Sequence, residues 1–110
     1  QVRDVVDLMA REAGLPAGEL RVHGGAAVND LLCQFQADLL GAPVVRPRVT
    51  ETTALGAAYL AGLSSGVWRD LDELSAQWQV GRRFHPTLAR ERAAERMERW
   101  ERAVRQATAA

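Results

Sequence analysis

Short strands alternating with helices predict an α/β fold, and three observations carry that prediction. Leu20-Arg21-Val22-His23 alternates apolar and polar residues and runs into Gly24-Gly25. Pro43-Val44-Val45-Arg46-Pro47 is brief, β-branched and bounded by prolines, as a short strand is. Apolar residues at helical spacing fill the stretches before, between and after these two segments. The order is helix, strand, Gly-Gly turn, helix, strand, helix and a helical tail. Two short strands do not close a sheet, so their edges are expected to pair with strands from sequence upstream.

Each element has its own signals. Val2, Val5, Val6, Leu8, Met9 and Ala13 mark a first helix that is already under way at residue 1, and Gly14 and Pro16 stop it. No capping residue stands ahead of it, so the chain is expected to be a piece of a longer protein. Asn29 is a candidate N-cap for a helix to Leu40, with Leu31, Leu32, Phe35, Leu39 and Leu40 on one face and Gly41 as its stop. Residues 53–63 are helical in pattern but built largely from Ala and Gly, which suits close approach to a neighbour. A short helix is expected over 70–77, with Leu71, Leu74 and Trp78 turned inward. Pro86 suits the first turn of a last helix, where Ala93, Met97, Trp100 and Val104 share a face. On its other side Glu95 and Arg99, Glu98 and Arg102, and Glu101 and Arg105 stand at pairing distance, each worth about 0.3–0.5 kcal/mol.

Composition removes several function classes. The 110 residues are 47% apolar, an ordinary share for one small core. No apolar run approaches the roughly 20 residues of a membrane-spanning helix, and no secretory leader is visible, so the cytoplasm is the expected location. All 14 basic residues are arginines, which excludes a Schiff-base lysine and the lysine of a GxxxxGK[ST] phosphate loop. Cys33 is the only cysteine, which excludes an internal disulfide and a Cys-based metal site. It reads as a small core-side residue rather than a nucleophile. His23 and His85 are too far apart to give a metal-ligand spacing, and no metal site is assigned. Trp68, Trp78 and Trp100 fall among apolar residues and read as packing. The net charge of zero argues against a nucleic-acid partner. Residues 82–105 nonetheless hold eight Arg against four Glu, so a non-enzymatic Arg-rich interaction module is a competing reading.

Leu20 to Asn29 is the candidate site. Two glycines at the end of a strand leave a main chain without Cβ atoms, which a flat ring or a ribose can approach. The Asn29 amide offers a donor and an acceptor, and the following helix N-terminus adds unpaired N–H groups. A Gly-Gly pair after a strand also makes a plain tight turn, and the residues alone leave both readings open.

The segment HGGAAVNDLLCQFQADLLGAPVVRPRVTETTALGAAYLAGL, residues 23–63, closely resembles the C-terminal region of the glycerol kinases, within the FGGY carbohydrate kinases. Its most specific parts are Gln34-Phe35-Gln36-Ala37-Asp38, Val45-Arg46-Pro47 and Glu51 to Ala58. Val67-Trp68, Leu71-Asp72-Glu73-Leu74 and Phe84-His85-Pro86 continue the likeness. The resemblance implies part of the C-terminal lobe of an actin-like, hexokinase-type (ribonuclease H-like) ATPase fold with a helical C-terminal tail. Residues 1–80 would be the nucleotide-binding part and 81–110 an amphipathic Arg/Glu-rich helix. The implied reaction transfers the γ-phosphoryl group of Mg-ATP to glycerol, giving glycerol 3-phosphate. Gly25 and Asn29 match the positions that contact the adenosine of ATP or ADP, with Gly24 and Ala26 shaping the turn. The general base, the glycerol contacts and the ligands of Mg2+ match nothing here, so catalytic residues are expected outside the chain and the isolated segment is expected to be inactive. Implied partners are glycerol, ATP, the rest of the kinase chain and further copies in a homo-oligomer. Another sugar kinase of the family, acting on a pentulose such as xylulose, is the alternative. His23 departs from the family, which usually has Asp before the glycine pair; it reads either as a tolerated loop substitution or as a change in nucleotide or metal handling.

Overall fold

The computed structural model describes residues 1–109. Helix α1 covers Val2–Ala13 and ends at Gly14, whose φ of 66° is the left-handed value that glycine adopts without strain. Strand β1 is Leu20–Arg21, shorter than the four-residue alternation suggests. A 3₁₀ turn over Gly25–Val28 then separates it from helix α2, Asp30–Leu40. Strand β2 is Val44–Pro47, helix α3 is Thr52–Ser65 and helix α4 is Leu71–Ser75. Strand β3, Val80–Phe84, precedes helix α5, Arg90–Thr108.

The three strands form one sheet in the order β1-β2-β3. β1 pairs parallel to β2, with Leu20 opposite Val44, which makes β1, α2 and β2 a βαβ unit. β3 runs antiparallel, Val44 facing Phe84 and Arg46 facing Arg82. The register slips between Arg46 and Pro47. Gly81 lies at the slip: a Cβ there would come within 2.9 Å of the Pro47 carbonyl, so only glycine allows the two backbones to pass so closely.

β3 and its pairing were not expected from the sequence. The strand carries Gly81, Arg82 and Arg83, and only Phe84 is buried, so it has no apolar alternation to reveal it. Pro86 is not in the first turn of α5 either; the helix begins at Arg90, four residues later.

The core lies between β2, β3 and α2. Cys33, Ala37, Val44 and Phe84 are its buried centre, with Leu20, Val22 and Leu40 packed against it. Cys33 is on the core side as expected, 3% exposed, and its thiol donates to the Ala27 carbonyl at 3.3 Å. The inward stripe of α2 is therefore Cys33 and Ala37, with Leu40 packed beside them; of the larger residues predicted for this face, Leu31, Leu32 and Phe35 are exposed. Leu31 is 79% exposed: two residues before Cys33, it lies about 200° round the helix, on the face turned from the sheet. Leu71 is likewise exposed, while Leu74 and Trp78 are half-buried.

Helix α5 docks on α2 through buried Ala93 and half-buried Met97, and Trp100 Nε1 donates to Asp4 Oδ2 of α1 at 3.0 Å. Past Trp100, every described residue is exposed. Of the ion pairs expected along α5 none is formed among the described residues; Glu95 instead meets Arg92 at 3.6 Å. The other two tryptophans pack as expected, Trp68 edge-on to Tyr59 and Trp78 beneath the Arg21 guanidinium at 4.2 Å.

Neither α1 nor α3 has a fully buried residue. The radius of gyration is 17.5 Å, against about 13 Å for a compact domain of this length. One small core thus leaves broad apolar faces bare, Val5, Leu8 and Met9 on α1 and Leu60 on α3 among them. No helix among the described residues is long and apolar enough to cross a membrane.

Candidate functional site

Sheet pairing delivers the glycine turn to the end of β1. The N–H groups of Leu20, Val22 and Gly24 donate in succession to the carbonyls of Pro43, Val45 and Thr50, at 2.9, 3.0 and 2.9 Å. Gly24 then turns the chain with φ 90° and ψ 177°, a conformation that L side chains rarely adopt. The turn is held internally: Ala27 N–H donates to the Gly24 carbonyl and Asn29 N–H to the Ala26 carbonyl, both at 3.1 Å.

The four predicted site residues come together on this turn but do not share one pocket. Gly25 opens the 3₁₀ turn, is exposed, and has no heavy atom within 4 Å of where a Cβ would stand. Ala26 is exposed beside it and borders a cavity of about 200 Å³, whose other walls include Val2, Leu20, Val22, His23 and Leu32. Gly25 and Asn29 are not on that wall. Asn29 is the N-cap of α2 as expected, its Oδ1 accepting from Leu32 N–H at 3.1 Å. Its oxygen is thus engaged in the helix, while the exposed Nδ2 keeps its two donors unused among the described hydrogen bonds. The 3₁₀ turn between Gly24 and Asn29 places two successive helix heads near one another, a feature that the sequence pattern does not disclose.

Behind the turn lies a set of charges that sequence reasoning missed. Arg46 of β2 donates from Nη1 to the Ala27 carbonyl at 3.0 Å and to Asp30 Oδ1 at 2.7 Å. Arg82 of β3 reaches Asp30 Oδ2 at 2.8 Å. Both guanidinium groups lie over the Phe84 ring, at 5.3 and 4.5 Å from its centre. The hydrogen bond from Arg46, with the charges of both arginines, holds the Asp30 carboxyl below its ordinary value against the opposing pull of desolvation. One sequence signal was available: Arg46 is the only charged residue in a strand otherwise made of Val44, Val45 and Pro47.

At the other end of α2 a second cluster ties the helix to α5. Asp38 Oδ1 accepts from Gln34 Nε2 at 2.9 Å, from Thr87 N–H at 2.8 Å and from Leu88 N–H at 3.3 Å. Gln34 also donates to the His85 carbonyl at 2.8 Å, and Arg90 caps the Asp38 and Leu39 carbonyls. Among the described residues no group of three or more His, Cys, Asp or Glu stands together as a metal site would require.

Comparison with known proteins agrees with this architecture. Residues 1–65 match the FGGY family of carbohydrate kinases, C-terminal domain. A glycerol kinase of Methylibium petroleiphilum is 68% identical over 109 residues, covering 96% of this chain and 22% of its own length. One from Variovorax paradoxus is 66% identical with the same coverage. The chain thus spans about a fifth of the length of these curated relatives. Among solved structures, Plasmodium falciparum glycerol kinase with ADP superposes with a TM-score of 0.80 at 26% identity, covering 99% of this chain and 22% of that one. Ligand-bound xylulose kinase from Lactobacillus acidophilus gives 0.65 at 24% identity over 84% of this chain and 19% of its own, a likeness of fold alone. The fold is therefore the expected one, part of the C-terminal lobe of an actin-like kinase. With its family match over more than half its length, its βαβ unit and its glycine turn in place, the chain belongs to the FGGY family of carbohydrate kinases, as part of their C-terminal domain.

Proposed function

We propose that the chain is the C-terminal portion of a glycerol kinase, which transfers the γ-phosphoryl group of ATP to a terminal hydroxyl of glycerol, and that its Gly24-Gly25-Ala26 turn with Asn29 receives the adenosine of ATP or ADP. The observation that carries this reading is the bare main chain at Gly25, open on its Cβ side and presented by the positive-φ Gly24 at the head of a 3₁₀ turn. A purine or ribose can rest there at van der Waals distance, and Asn29 Nδ2 can donate to it while Oδ1 caps α2. The high identity to proteins named glycerol kinase supports glycerol over other substrates.

The described residues do not fit a metal site. The Mg2+ that accompanies ATP is assigned to the remainder of the full-length protein, together with the general base, the glycerol contacts and the phosphate-binding groups. Phosphoryl transfer needs all of these positioned at once, so the isolated chain is inactive on this reading. The remaining assignments are residues 1–80 as the nucleotide-binding part, residues 81–110 as the Arg/Glu-rich C-terminal part, whose amphipathic helix occupies Arg90–Thr108 rather than the whole span, a cytoplasmic location and a homo-oligomeric enzyme.

The test separates binding from folding. Asn29→Asp keeps an oxygen to cap α2 and removes the unused N–H donors. In the full-length protein it should raise the KM for ATP about tenfold, the worth of roughly one hydrogen bond, and leave that for glycerol within twofold. An unchanged KM for ATP removes Asn29 from the site. Phosphorylation of a pentulose but not of glycerol would replace the substrate assignment.

A further inference from the structure

Arg46 occupies an unusual place for a permanent charge. Its neighbours Val45 and Pro47 are buried, and its own side chain is only 18% exposed. Such a charge is costly unless its donors are used. By strand parity it projects on the same face as Val44, toward α2. There one nitrogen of the guanidinium bridges two acceptors, the Ala27 carbonyl and the Asp30 carboxylate.

These two acceptors bracket Asn29. Ala27 is inside the 3₁₀ turn that begins at Gly25, and Asp30 is the first residue of α2. The Ala27 carbonyl is gripped twice, since the Cys33 thiol donates to it as well. Among the described hydrogen bonds, Arg46 supplies the only side chain that reaches this turn from the sheet. Arg82 steadies the far oxygen of Asp30, and the Phe84 ring supports both guanidinium groups from below.

We propose that Arg46 is a positioning residue for nucleotide binding: clamped on the Ala27 carbonyl and the Asp30 carboxylate, it fixes the height and tilt of the turn that presents Gly25 and Asn29 to the adenosine. The inference rests on the nucleotide reading given above. Arg46 acts from behind the turn, so it governs the affinity of one substrate rather than the chemical step. A lysine is shorter and lacks the guanidinium plane that rests over the Phe84 ring, so its single nitrogen holds the two acceptors less well.

The test uses the full-length protein. Arg46→Met should raise the KM for ATP about tenfold while kcat and the KM for glycerol stay within twofold, a split that general loosening of the fold does not produce. Arg46→Lys should recover part of the loss, with a rise of about threefold. Arg83→Met, which removes an arginine that pairs with Glu19 from the neighbouring strand β3, should leave both constants within twofold. The inference is overturned if Arg46→Met leaves the KM for ATP unchanged, raises both KM values alike, or is matched by Arg83→Met. Should Arg46→Met fail to fold, Arg46→Lys decides, and a KM for ATP equal to that of the parent overturns the inference. Photo-crosslinking of the parent protein with an azido-ATP separates the two layers. Absence of label on residues 24–29 sinks the nucleotide reading itself, whereas labelling with an unchanged KM in Arg46→Met sinks only the role of Arg46.

Discussion

Replacing Asp38 by Ala tests how the C-terminal helix is held. One carboxylate oxygen of Asp38 accepts from the Gln34 amide, the Thr87 N–H and hydroxyl, and the Leu88 N–H. Hydrogen bonds to a charged acceptor contribute about 1.5–3 kcal/mol, and a part-buried donor stripped of its partner costs about 1–3 kcal/mol. These costs overlap, and water reaches the rim of the site, so the change should loosen residues 85–93 by about 2–4 kcal/mol. Amide hydrogen exchange reads this directly: Thr87, Leu88 and Ala93 should exchange about 30- to 1,000-fold faster, while Val44 and Val45 in β2 keep their protection. Asn in place of Asp retains the oxygen and should give a smaller acceleration. The acid response follows from the same geometry. Desolvation works to raise the Asp38 carboxyl, but the four hydrogen bonds together outweigh it and hold the group below its ordinary value of 3.8. The stabilisation is therefore complete above that ordinary value and is lost as pH falls through the lower folded value. Exchange at residues 87–93, corrected for intrinsic rates, should be level from pH 7 to pH 5 and rise only below pH 4. Exchange that is unchanged within threefold in Asp38→Ala would refute the view that this carboxylate anchors α5.

Two further predictions concern the sheet and the turn. Phe84 is 2% exposed and lies under two guanidinium groups, so Phe84→Ala should lower the stability of this region by about 3–5 kcal/mol, measured as a shift in urea midpoint followed by tryptophan emission. Gly24→Ala meets no neighbouring atom, yet must hold φ near 90° with ψ near 177°, a region essentially confined to glycine, and should cost about 1–3 kcal/mol; Gly25→Ala has neither obstacle and should stay within about 0.5 kcal/mol. Equal destabilisation by the two alanines would show that the turn does not need the positive φ of Gly24.

Local chemistry explains which parts of this architecture were legible in the sequence. Asn29, Gly14 and Gly41 announced helix ends because a cap or a left-handed stop depends on one residue and its immediate neighbours. The glycine turn and β2 were legible for the same reason. β3 was not, since an edge strand of Gly81, Arg82 and Arg83 is held by backbone bonds to β2 and leaves no periodic trace. The buried stripe of α2 was assigned to its large apolar residues, whereas the face turned to the sheet carries Cys33 and Ala37, with Leu40 alone of the predicted set packed beside them. The Arg46–Asp30–Arg82 cluster joins residues 16 and 52 positions apart, and no spacing rule reaches that far. The residue-level site, Gly24 to Asn29, was visible in outline, but the Gly24 that opens it is bonded to the Thr50 carbonyl, in the connection between β2 and α3, which no local pattern discloses.

The bond from Trp100 to Asp4 spans 96 positions of the chain. A link of that sequence separation has almost no chance of closing early, because bringing the two partners together from a random coil is entropically costly until the intervening segments have condensed. The indole at position 100 is therefore a natural clock for the last stage of assembly. Its fluorescence should reach the native value only after the sheet has formed, and should be the first signal to change when the chain begins to come apart.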